Sequence, residues 1–316
     1  MPESENKTVL PVLIGPTASG KTSAGIIIAE ALGCEIVSAD SRQIYRGMAT
    51  GSGAPSAPEL ARIRHHFIGI LEPHIRISAG EYARLARQVI PEIIDRGKLP
   101  LVVGGSGLYI RALVDGLAPL PTPDPELRRE IEHRIEMQGM AAMIEELRIV
   151  DPEYAEKVGL RDKKRLLRAL EVWETTGRPF SEWHGEQPVE PWCLPLFFGV
   201  NRPRLALHSL IEARVEQMLE SGWIDEAQTL ALRYGGMDKL PPTVTEAVGY
   251  NEIISYLRNE ISLVEAKERI IISTRQYAKR QITWFRADKR IEWFDGSGED
   301  AVQEWAGWII NRLNEG

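Results

Sequence analysis

One stretch of the sequence has the residue types and the spacing that bind a phosphate group. It matches the pattern G-x-x-x-x-G-K-[ST] over residues 15–22, which read Gly15-Pro16-Thr17-Ala18-Ser19-Gly20-Lys21-Thr22. The glycines let backbone N–H groups converge on an anion, and a helix that begins there adds partial positive charge. Lys21 adds a full charge, and the Thr22 hydroxyl suits Mg²⁺. The stretch therefore predicts a polyphosphate site, without indicating which polyphosphate binds or whether a phosphoryl group is transferred.

A carboxylate follows the second predicted strand, at the edge of the sheet where ligands bind in this class of fold. Asp40 comes directly after residues 35–39, and three hydrogen-bonding residues follow it, Ser41, Arg42 and Gln43. Its position allows three roles: a metal ligand, a general base or a helix N-cap. The next strand ends in Val103-Gly104-Gly105, so it lacks the metal-binding aspartate that nucleotide hydrolases carry there.

The elements that must position these residues alternate between strands and helices. Apolar runs predict four strands, over residues 9–14, 35–38, 99–103 and 196–200. A helical pattern covers residues 22–32. Capping boxes predict three further helix starts, at Ser78 with Glu81, Thr243 with Glu246 and Ser262 with Glu265. The order strand–helix–strand implies a parallel sheet with helices on its faces.

Two proline clusters, at residues 119–125 and 188–195, separate this α/β sequence from a segment that reads as purely helical. Helix starts are predicted within that segment at Asp124-Pro125 and Asp151-Pro152, and a third helix over residues 162–176. We therefore predict an α/β fold, with a P-loop NTPase-like parallel sheet core and an all-helical insertion domain. The core comprises residues 1–118 and 196–316, and the insertion comprises residues 119–195.

The composition of the 316-residue chain excludes several classes of protein. Only two cysteines occur, Cys34 and Cys193, so a disulfide framework is excluded and a reducing, cytoplasmic location is favoured. We expect no membrane contact, because no apolar run is long enough to span a bilayer and the first seven residues are too short and polar for a signal peptide. The net charge of −7 restricts any nucleic-acid contact to local basic patches, at residues 161–168 and 269–290. Trp284, in the second patch, could stack on a base, but packing in the core is favoured.

Taken together, six runs of residues resemble those of bacterial tRNA dimethylallyltransferases, in order and over nearly the whole chain. They are residues 15–22, Asp40-Ser41-Arg42-Gln43-Ile44-Tyr45-Arg46-Gly47-Met48, Gly104-Gly105-Ser106-Gly107-Leu108-Tyr109, Lys164-Arg165-Leu166-Leu167-Arg168, Val248-Gly249-Tyr250, and Ala278-Lys279-Arg280-Gln281-Ile282-Thr283-Trp284. Only the first two are specific on their own. The family transfers a dimethylallyl group from dimethylallyl diphosphate to the exocyclic amine of the adenosine just 3′ of the anticodon.

The resemblance implies roles for particular residues of this chain. Residues 15–22 would cradle the diphosphate, and Asp40 would be the general base. Contacts with tRNA would come from Asp40, Ser41, Arg42, Gln43, Ser106, Arg128, Lys164, Arg165, Leu166, Leu167 and Arg168. The expected cofactor is Mg²⁺, held by Thr22, and the expected partners are the tRNA anticodon stem-loop and the prenyl diphosphate. We expect the protein to act as a monomer.

This chemistry requires cations that neutralise the departing diphosphate, and Arg214 is a candidate beside Lys21. The series Leu207, Ile211, Arg214 and Met218 has helical spacing, so Arg214 lies on the apolar face of its helix. A buried arginine needs an anionic partner. That partner is either the diphosphate, which would make Arg214 catalytic, or a carboxylate in a core salt bridge.

The chain departs from the family pattern after Met48. Residues 49–55 read Ala49-Thr50-Gly51-Ser52-Gly53-Ala54-Pro55, where the family commonly has Asp-Ile-Gly-Thr-Ala-Lys-Pro. Three other functions remain open from the residues alone. They are a small-molecule phosphotransferase, a prenyltransferase that acts on free adenine nucleotides, and a non-catalytic RNA-binding protein regulated by a nucleotide.

Overall fold

The computed structural model describes residues 8–185, 191–296 and 299–315. The chain forms two compact units: unit 1 comprises Met1–Val114 and Pro191–Gly316, and unit 2 comprises Asp115–Glu190. The sequence analysis placed these boundaries four or five residues later, at 118/119 and 195/196. The second boundary comes earlier because a strand of unit 1 already begins at Leu194.

Unit 1 contains a six-stranded sheet in which every neighbouring pair of strands is parallel. The strands are β1 (Val9–Ile14), β2 (Cys34–Ala39), β3 (His65–His66), β4 (Leu99–Gly104), β5 (Leu194–Asn201) and β6 (Glu292–Asp295). Their spatial order is β3-β2-β4-β1-β5-β6. The three central strands β2, β4 and β1 are buried almost throughout, which agrees with the unbroken apolar runs of β1 and β4. The predicted parallel α/β core is confirmed, whereas the short edge strands β3 and β6 were not predicted.

The first helices of unit 1 are α1 (Lys21–Leu32), α2 (Ala49–Ser52), α3 (Ala57–Arg62), α4 (Ala79–Asp95) and α5 (Gly107–Val114). The capping box predicted at the start of α4 is confirmed, because the Glu81 N–H donates to the Ser78 hydroxyl. Helix α1 ends at Gly33, whose left-handed conformation (φ 66°) suits glycine.

Unit 2 consists of helices within its described residues: α6 (Pro125–Val150), α7 (Pro152–Ala155), α8 (Lys163–Thr176) and α9 (Phe180–Gly185). The side chains of Asp124, Asp151 and Asp162 cap the first three, so these predicted helix starts are confirmed. Helix α6 is interrupted at Gly139, which has a positive φ of 84°. Unit 2 has its own apolar core, with Ile131, Met143, Leu147, Leu166 and Leu170 at its centre.

The chain then returns to unit 1 and forms α10 (Arg204–Glu220), α11 (Trp223–Tyr234), α12 (Pro242–Thr245), α13 (Tyr250–Leu257), α14 (Leu263–Arg286) and α15 (Glu299–Glu315). Ser262 caps α14 as predicted. The capping box predicted at Thr243 and Glu246 is wrong. Thr243 lies inside α12 and donates its hydroxyl to the Pro73 carbonyl, and the next helix begins after Gly249. None of the helices described here is long and apolar enough to cross a membrane.

Candidate active site

The glycine-rich loop connects β1 to α1, as its pattern requires. Ala18 and Gly20 both have positive φ, of 62° and 92°, which bends the loop around the start of the helix. Ser19 is fully buried, and among the described residues its hydroxyl has no hydrogen-bond partner. A Cβ atom on Gly15 would lie 2.7 Å from that hydroxyl, so a side chain there would crowd the loop. The close approach of the Gly15 backbone to the buried Ser19 side chain therefore shapes the loop.

Lys21 is buried beneath this loop. Its ammonium donates to the Pro16 carbonyl at 3.4 Å. Burial, together with the nearby Arg214 charge, lowers the pKa of Lys21 to about 8, although the charge of Asp40 partly opposes this shift. A buried cation with a lowered pKa gains more from an incoming anion than an exposed one does, so Lys21 is suited to bind a phosphate.

Asp40 follows β2 and is held by the turn that it begins. Its Oδ1 atom accepts hydrogen bonds from the backbone N–H groups of Arg42 (2.8 Å) and Gln43 (3.3 Å). Among the described residues, its Oδ2 atom has no hydrogen-bond partner. No helix begins at this turn, since the next one is α2 at Ala49, so Asp40 is not a helix N-cap. One carboxylate oxygen is therefore fixed and the other is available for chemistry.

Arg214 lies on α10 and lines the same cavity as Lys21 and Asp40. Its Nη2 atom donates to the Gly53 carbonyl at 3.2 Å. In the described part of the chain, no carboxylate oxygen lies within 4.0 Å of the Arg214 guanidinium, so the core salt bridge is not formed. Burial lowers the pKa of Arg214, and the charges of Asp40 and Glu59 oppose this shift. Two cations without a carboxylate partner thus face one cavity.

The cavity that contains these groups has a volume of about 260 Å³ and also has apolar walls, formed by Val215, Met218 and Trp223. A second cavity of about 480 Å³ adjoins it, and the two share Ser41, Arg42, Glu246, Tyr277, Arg280 and Gln281. Both are lined only by residues of unit 1. The turn that follows Asp40 therefore lies where a small polar and apolar cavity meets a wider one.

Two residues beside Asp40 that were predicted to contact tRNA also make contacts inside unit 1. The Ser106 hydroxyl accepts from the Ser41 N–H at 2.9 Å. The Arg42 guanidinium donates to the carbonyls of Thr243 (2.7 Å) and Glu246 (3.5 Å). These bonds join the turn after Asp40 to the segment after β4 and to α12, and they keep the turn in place.

Gln281 was quoted in the sequence analysis only as part of a run, yet it connects two parts of the site. Its Oε1 atom accepts from the Thr17 N–H (2.8 Å), and its Nε2 atom donates to the Gly105 carbonyl (2.9 Å). The side chain is buried. A polar residue at helical spacing between the buried Ala278 and Phe285 was the signal that could have identified it, because such a residue needs partners.

Trp284 was expected to pack in the core, and this expectation is wrong. Its side chain is 41% exposed and lines the wider cavity. The ring also lies against Gly107, where a Cβ atom would overlap the indole. An aromatic face at the rim of a cavity is suited to stack on a planar ligand.

The residues that could hold Mg²⁺ lie at the edge of the smaller cavity. Thr22 and Asp40 line a hollow of about 20 Å³ that Lys21 also borders. No group of three or more histidine, cysteine, aspartate or glutamate side chains suited to a metal occurs in the described residues. Mg²⁺ is commonly held by one or two protein oxygens together with substrate phosphates, and this donor set fits that mode.

The predicted tRNA-contacting residues of unit 2 fall into two groups. Arg128 and Arg168 are partly exposed, and both form ion pairs with the buried Glu171. Lys164 and Arg165 are exposed. The side chains of Leu166 and Leu167 are buried in the core of unit 2, so a contact of this stretch with tRNA, which stays a prediction, would have to come from its exposed residues or its backbone. The packing of these two leucines in the core fixes which face of α8 is exposed.

Comparisons with known proteins place this arrangement in a family. The family model described as IPP transferase matches residues 43–288. A tRNA dimethylallyltransferase of Geobacter sulfurreducens is 42% identical, with 93% of this chain and 94% of that protein aligned. The crystal structure of a tRNA isopentenylpyrophosphate transferase from Bacillus halodurans is similar with a TM-score of 0.71, at 33% identity and 98% coverage of both chains. A eukaryotic dimethylallyltransferase, described as acting on tRNA, is similar with a TM-score of 0.77, at 26% identity over 91% of this chain and 74% of that one. The chain belongs to the IPP transferase family.

Proposed function

We propose that this protein transfers a dimethylallyl group from dimethylallyl diphosphate to the exocyclic amine of the adenosine 3′-adjacent to the anticodon of tRNA. The curated relatives are named tRNA dimethylallyltransferases, which supports the reaction class and tRNA as the acceptor. The observation that carries the proposal is the cavity that Lys21 and Arg214 line together with Asp40, where neither cation has a carboxylate within ion-pair distance among the described residues.

The leaving group explains the two cations. As the bond between C1 of the allyl group and the diphosphate oxygen breaks, negative charge grows on the diphosphate. Lys21, Arg214 and the N–H groups of residues 15–22 neutralise that charge. Thr22 would hold a Mg²⁺ ion, which would supply further positive charge at this end of the cavity. Because the cations are fixed before the substrate arrives, little reorganisation accompanies the reaction.

The acceptor explains the carboxylate. An adenine amine is weakly basic, so its attack on C1 is assisted when a base removes a proton. The C–N bond forms, the C–O bond breaks, and Asp40 takes the proton from the nitrogen. The two N–H groups that bind Oδ1 hold the carboxylate in place, and Oδ2 is the atom that receives the proton.

The two adjoining cavities suit the two substrates. The smaller cavity has the cations and the apolar walls that a short prenyl diphosphate needs. The wider cavity, with Trp284 and Tyr45 in its lining, admits an adenine that has left the anticodon loop stack. Loop bases are already partly unstacked, so this displacement costs little. The turn after Asp40 lies between the two substrates and contacts the adenine.

The exposed basic residues supply contacts with the tRNA backbone. Lys164 and Arg165 in unit 2, with Lys279 and Arg286 in unit 1, are exposed. Arg165 and Arg275 each also form an ion pair within the protein, with Asp162 and Glu212 respectively. We further propose that the protein acts as a monomer in the cytoplasm.

An assay of prenyl transfer to two alternative acceptors tests the proposal. The protein is incubated with dimethylallyl diphosphate, Mg²⁺ and either unmodified tRNA or AMP, and the nucleosides are analysed by mass. A parallel reaction with ATP and small-molecule acceptors tests phosphoryl transfer. We expect a prenylated adenosine in tRNA only. Prenylated AMP without prenylated tRNA, or transfer of the γ-phosphate, would overturn the proposal.

A further inference from the structure

A carboxylate outside the cavity holds a short segment that borders it. Glu226, on α11, accepts hydrogen bonds from the N–H groups of Thr50 (2.8 Å) and Gly51 (2.9 Å). It also accepts from the Tyr250 hydroxyl at 2.7 Å. Both carboxylate oxygens are used, and they fix the start of helix α2 against α11.

The other end of the same segment contacts two side chains that line the cavity, those of Arg214 and Gln43. The Gly53 carbonyl accepts from Nη2 of Arg214 (3.2 Å) and from Nε2 of Gln43 (3.1 Å). Gly53 has a φ of 58°, and a Cβ atom there would overlap the Arg214 guanidinium. The Gly53 carbonyl therefore orients two side chains. One is Arg214, the cation that would face the diphosphate, and the other is Gln43, which belongs to the turn that holds Asp40.

The segment cannot hold this position alone. Helix α2 has four residues and no side-chain cap of its own at Met48, and an isolated helical turn is unstable in water. The first residue of this segment is Ala49, whose side chain can form no hydrogen bond that would hold the helix start. The buried Trp223 and Tyr250 pack against Gly51 and support the segment from one side. Among the described residues, Glu226 is the one carboxylate that is hydrogen-bonded to the start of the segment.

We propose that Glu226 is a positioning residue for the transfer reaction, which sets the Arg214 guanidinium through α2 and the Gly53 carbonyl. The inference rests on the proposed function, since it assigns Glu226 to the site where diphosphate leaves. Glu226 touches neither substrate. Its loss frees the start of α2, the Gly53 carbonyl moves, and Arg214 no longer points at the developing charge.

A double-mutant cycle between Glu226→Gln and Arg214→Gln tests this proposal. Glutamine keeps the size of the side chain but presents an amide N–H₂ group toward backbone donors, so at least one hydrogen bond is broken. We expect Glu226→Gln to lower the single-turnover transfer rate by about tenfold to a hundredfold, because misplaced catalytic groups have effects of that size. In the Arg214→Gln background the same change adds little, because the group on which Glu226 acts is already gone.

Asp225→Asn is the matched control. Asp225 is the neighbouring acid in the first turn of α11, is exposed, and is expected to leave the rate unchanged while removing the same charge from the helix start. Tyr250→Phe is a second variant that removes only one of the three hydrogen bonds, and we expect a smaller decrease in the same direction. It keeps the test valid if Glu226→Gln fails to fold.

The cycle is repeated with inorganic diphosphate and Mg²⁺ as the ligand, with affinity measured by calorimetry. This second readout separates the two proposals, because it does not require transfer to tRNA. Effects of Glu226→Gln and Arg214→Gln that multiply independently in both readouts would overturn the positioning role, as would an unchanged rate in Glu226→Gln. Absence of transfer by the unmutated protein, with coupling retained in diphosphate binding, would overturn the proposed function alone.

Discussion

Arginine is used in two different ways in the two units of this protein. In unit 1, Arg214 and Lys21 face a cavity, and among the described residues neither has a carboxylate within ion-pair distance. In unit 2, Arg128 and Arg168 share the buried carboxylate of Glu171, with the Arg128 Nε atom 2.7 Å from Oε1. The charges of Lys21 and Arg214 are available to a ligand. The charges of Arg128 and Arg168 are used mostly in their ion pairs with Glu171.

A cation that binds a ligand can be distinguished from a structural one by its partner inside the fold. A buried cation without a partner is unstable in the folded state, and the fold tolerates it because an anionic substrate later relieves it. A cation paired with a buried acid is already satisfied, and it stabilises the helices that it joins. The partner, rather than the degree of burial, distinguishes the two roles.

The largest expected effect concerns Asp40, whose Oδ2 atom has no hydrogen-bond partner among the described residues. Asp40→Asn keeps an Oδ1 atom that accepts from the N–H groups of Arg42 and Gln43, but it cannot take a proton. We expect the single-turnover rate to decrease by about 10²–10⁴-fold, the usual effect of removing a general base, while tRNA affinity changes little. Asp40→Ala serves as the comparison that removes the turn contacts as well. A near-normal rate in Asp40→Asn would limit Asp40 to a structural role.

The opposite behaviour is expected for Arg128 in unit 2. Arg128→Ala leaves the buried Glu171 with Arg168 as its remaining ionic partner, so the local free energy of unfolding should decrease by about 2 kcal/mol. Amide hydrogen exchange of residues 163–176 measures this decrease. Arg129→Ala, an exposed neighbour on the same helix, is the control. Exchange that is equally slow in both variants would show that Arg168 alone is a sufficient partner for Glu171.

A pH titration of diphosphate binding examines Lys21. Its pKa is lowered to about 8, chiefly by burial, so the ammonium loses its proton as the pH rises above 8. A bound anion raises that pKa, and binding therefore takes up a proton above pH 8. Affinity should decrease by up to about tenfold per pH unit in that range and be constant below it. Lys21→Met should remove this dependence, and a dependence that persists in the variant would assign it to another group.

The smallest expected effect concerns the exposed basic residues of unit 2. Lys164→Gln with Arg165→Gln should weaken tRNA binding and reduce the slope of log affinity against log salt, by up to about 0.9 for each phosphate that the variant no longer neutralises. Arg168 is left intact, because it pairs with Glu171. Arg129→Gln is the control for charge alone. A slope equal to that of the unmutated protein would show that this face of α8 does not bind tRNA.

Features that depend on local sequence could be predicted. The phosphate loop, the three central strands and the helix starts at Ser78, Asp124 and Ser262 follow from short patterns whose physical causes act within a few residues. The runs quoted for the resemblance also led to the family. Asp40 was placed correctly at a strand end, because an apolar run ending in polar residues marks that edge.

Features that depend on distant parts of the chain could not be predicted. Gln281 is separated by 264 residues from Thr17, to which it is bonded, and Glu226 by 176 from Thr50. The capping box predicted at Thr243 was wrong because the Thr243 hydroxyl donates instead to the carbonyl of Pro73, 170 residues away in the sequence. Strand β6 is short and lies at the sheet edge, where the alternation of apolar and polar residues is too weak to predict a strand. Tertiary contacts override local patterns at each of these places.

The most direct test of the account is the single-turnover transfer rate of Arg214→Gln, with the melting temperature measured on the same preparation and Arg128→Gln as the paired-arginine control. Because no carboxylate of the described residues pairs with Arg214, we expect its removal to lower the rate by about 10²–10³-fold, as for other groups that stabilise a developing anion, at a nearly unchanged melting temperature. Arg128→Gln should instead lower the melting temperature and leave the chemical step intact. A large decrease in the melting temperature of Arg214→Gln at an unchanged rate would contradict the account.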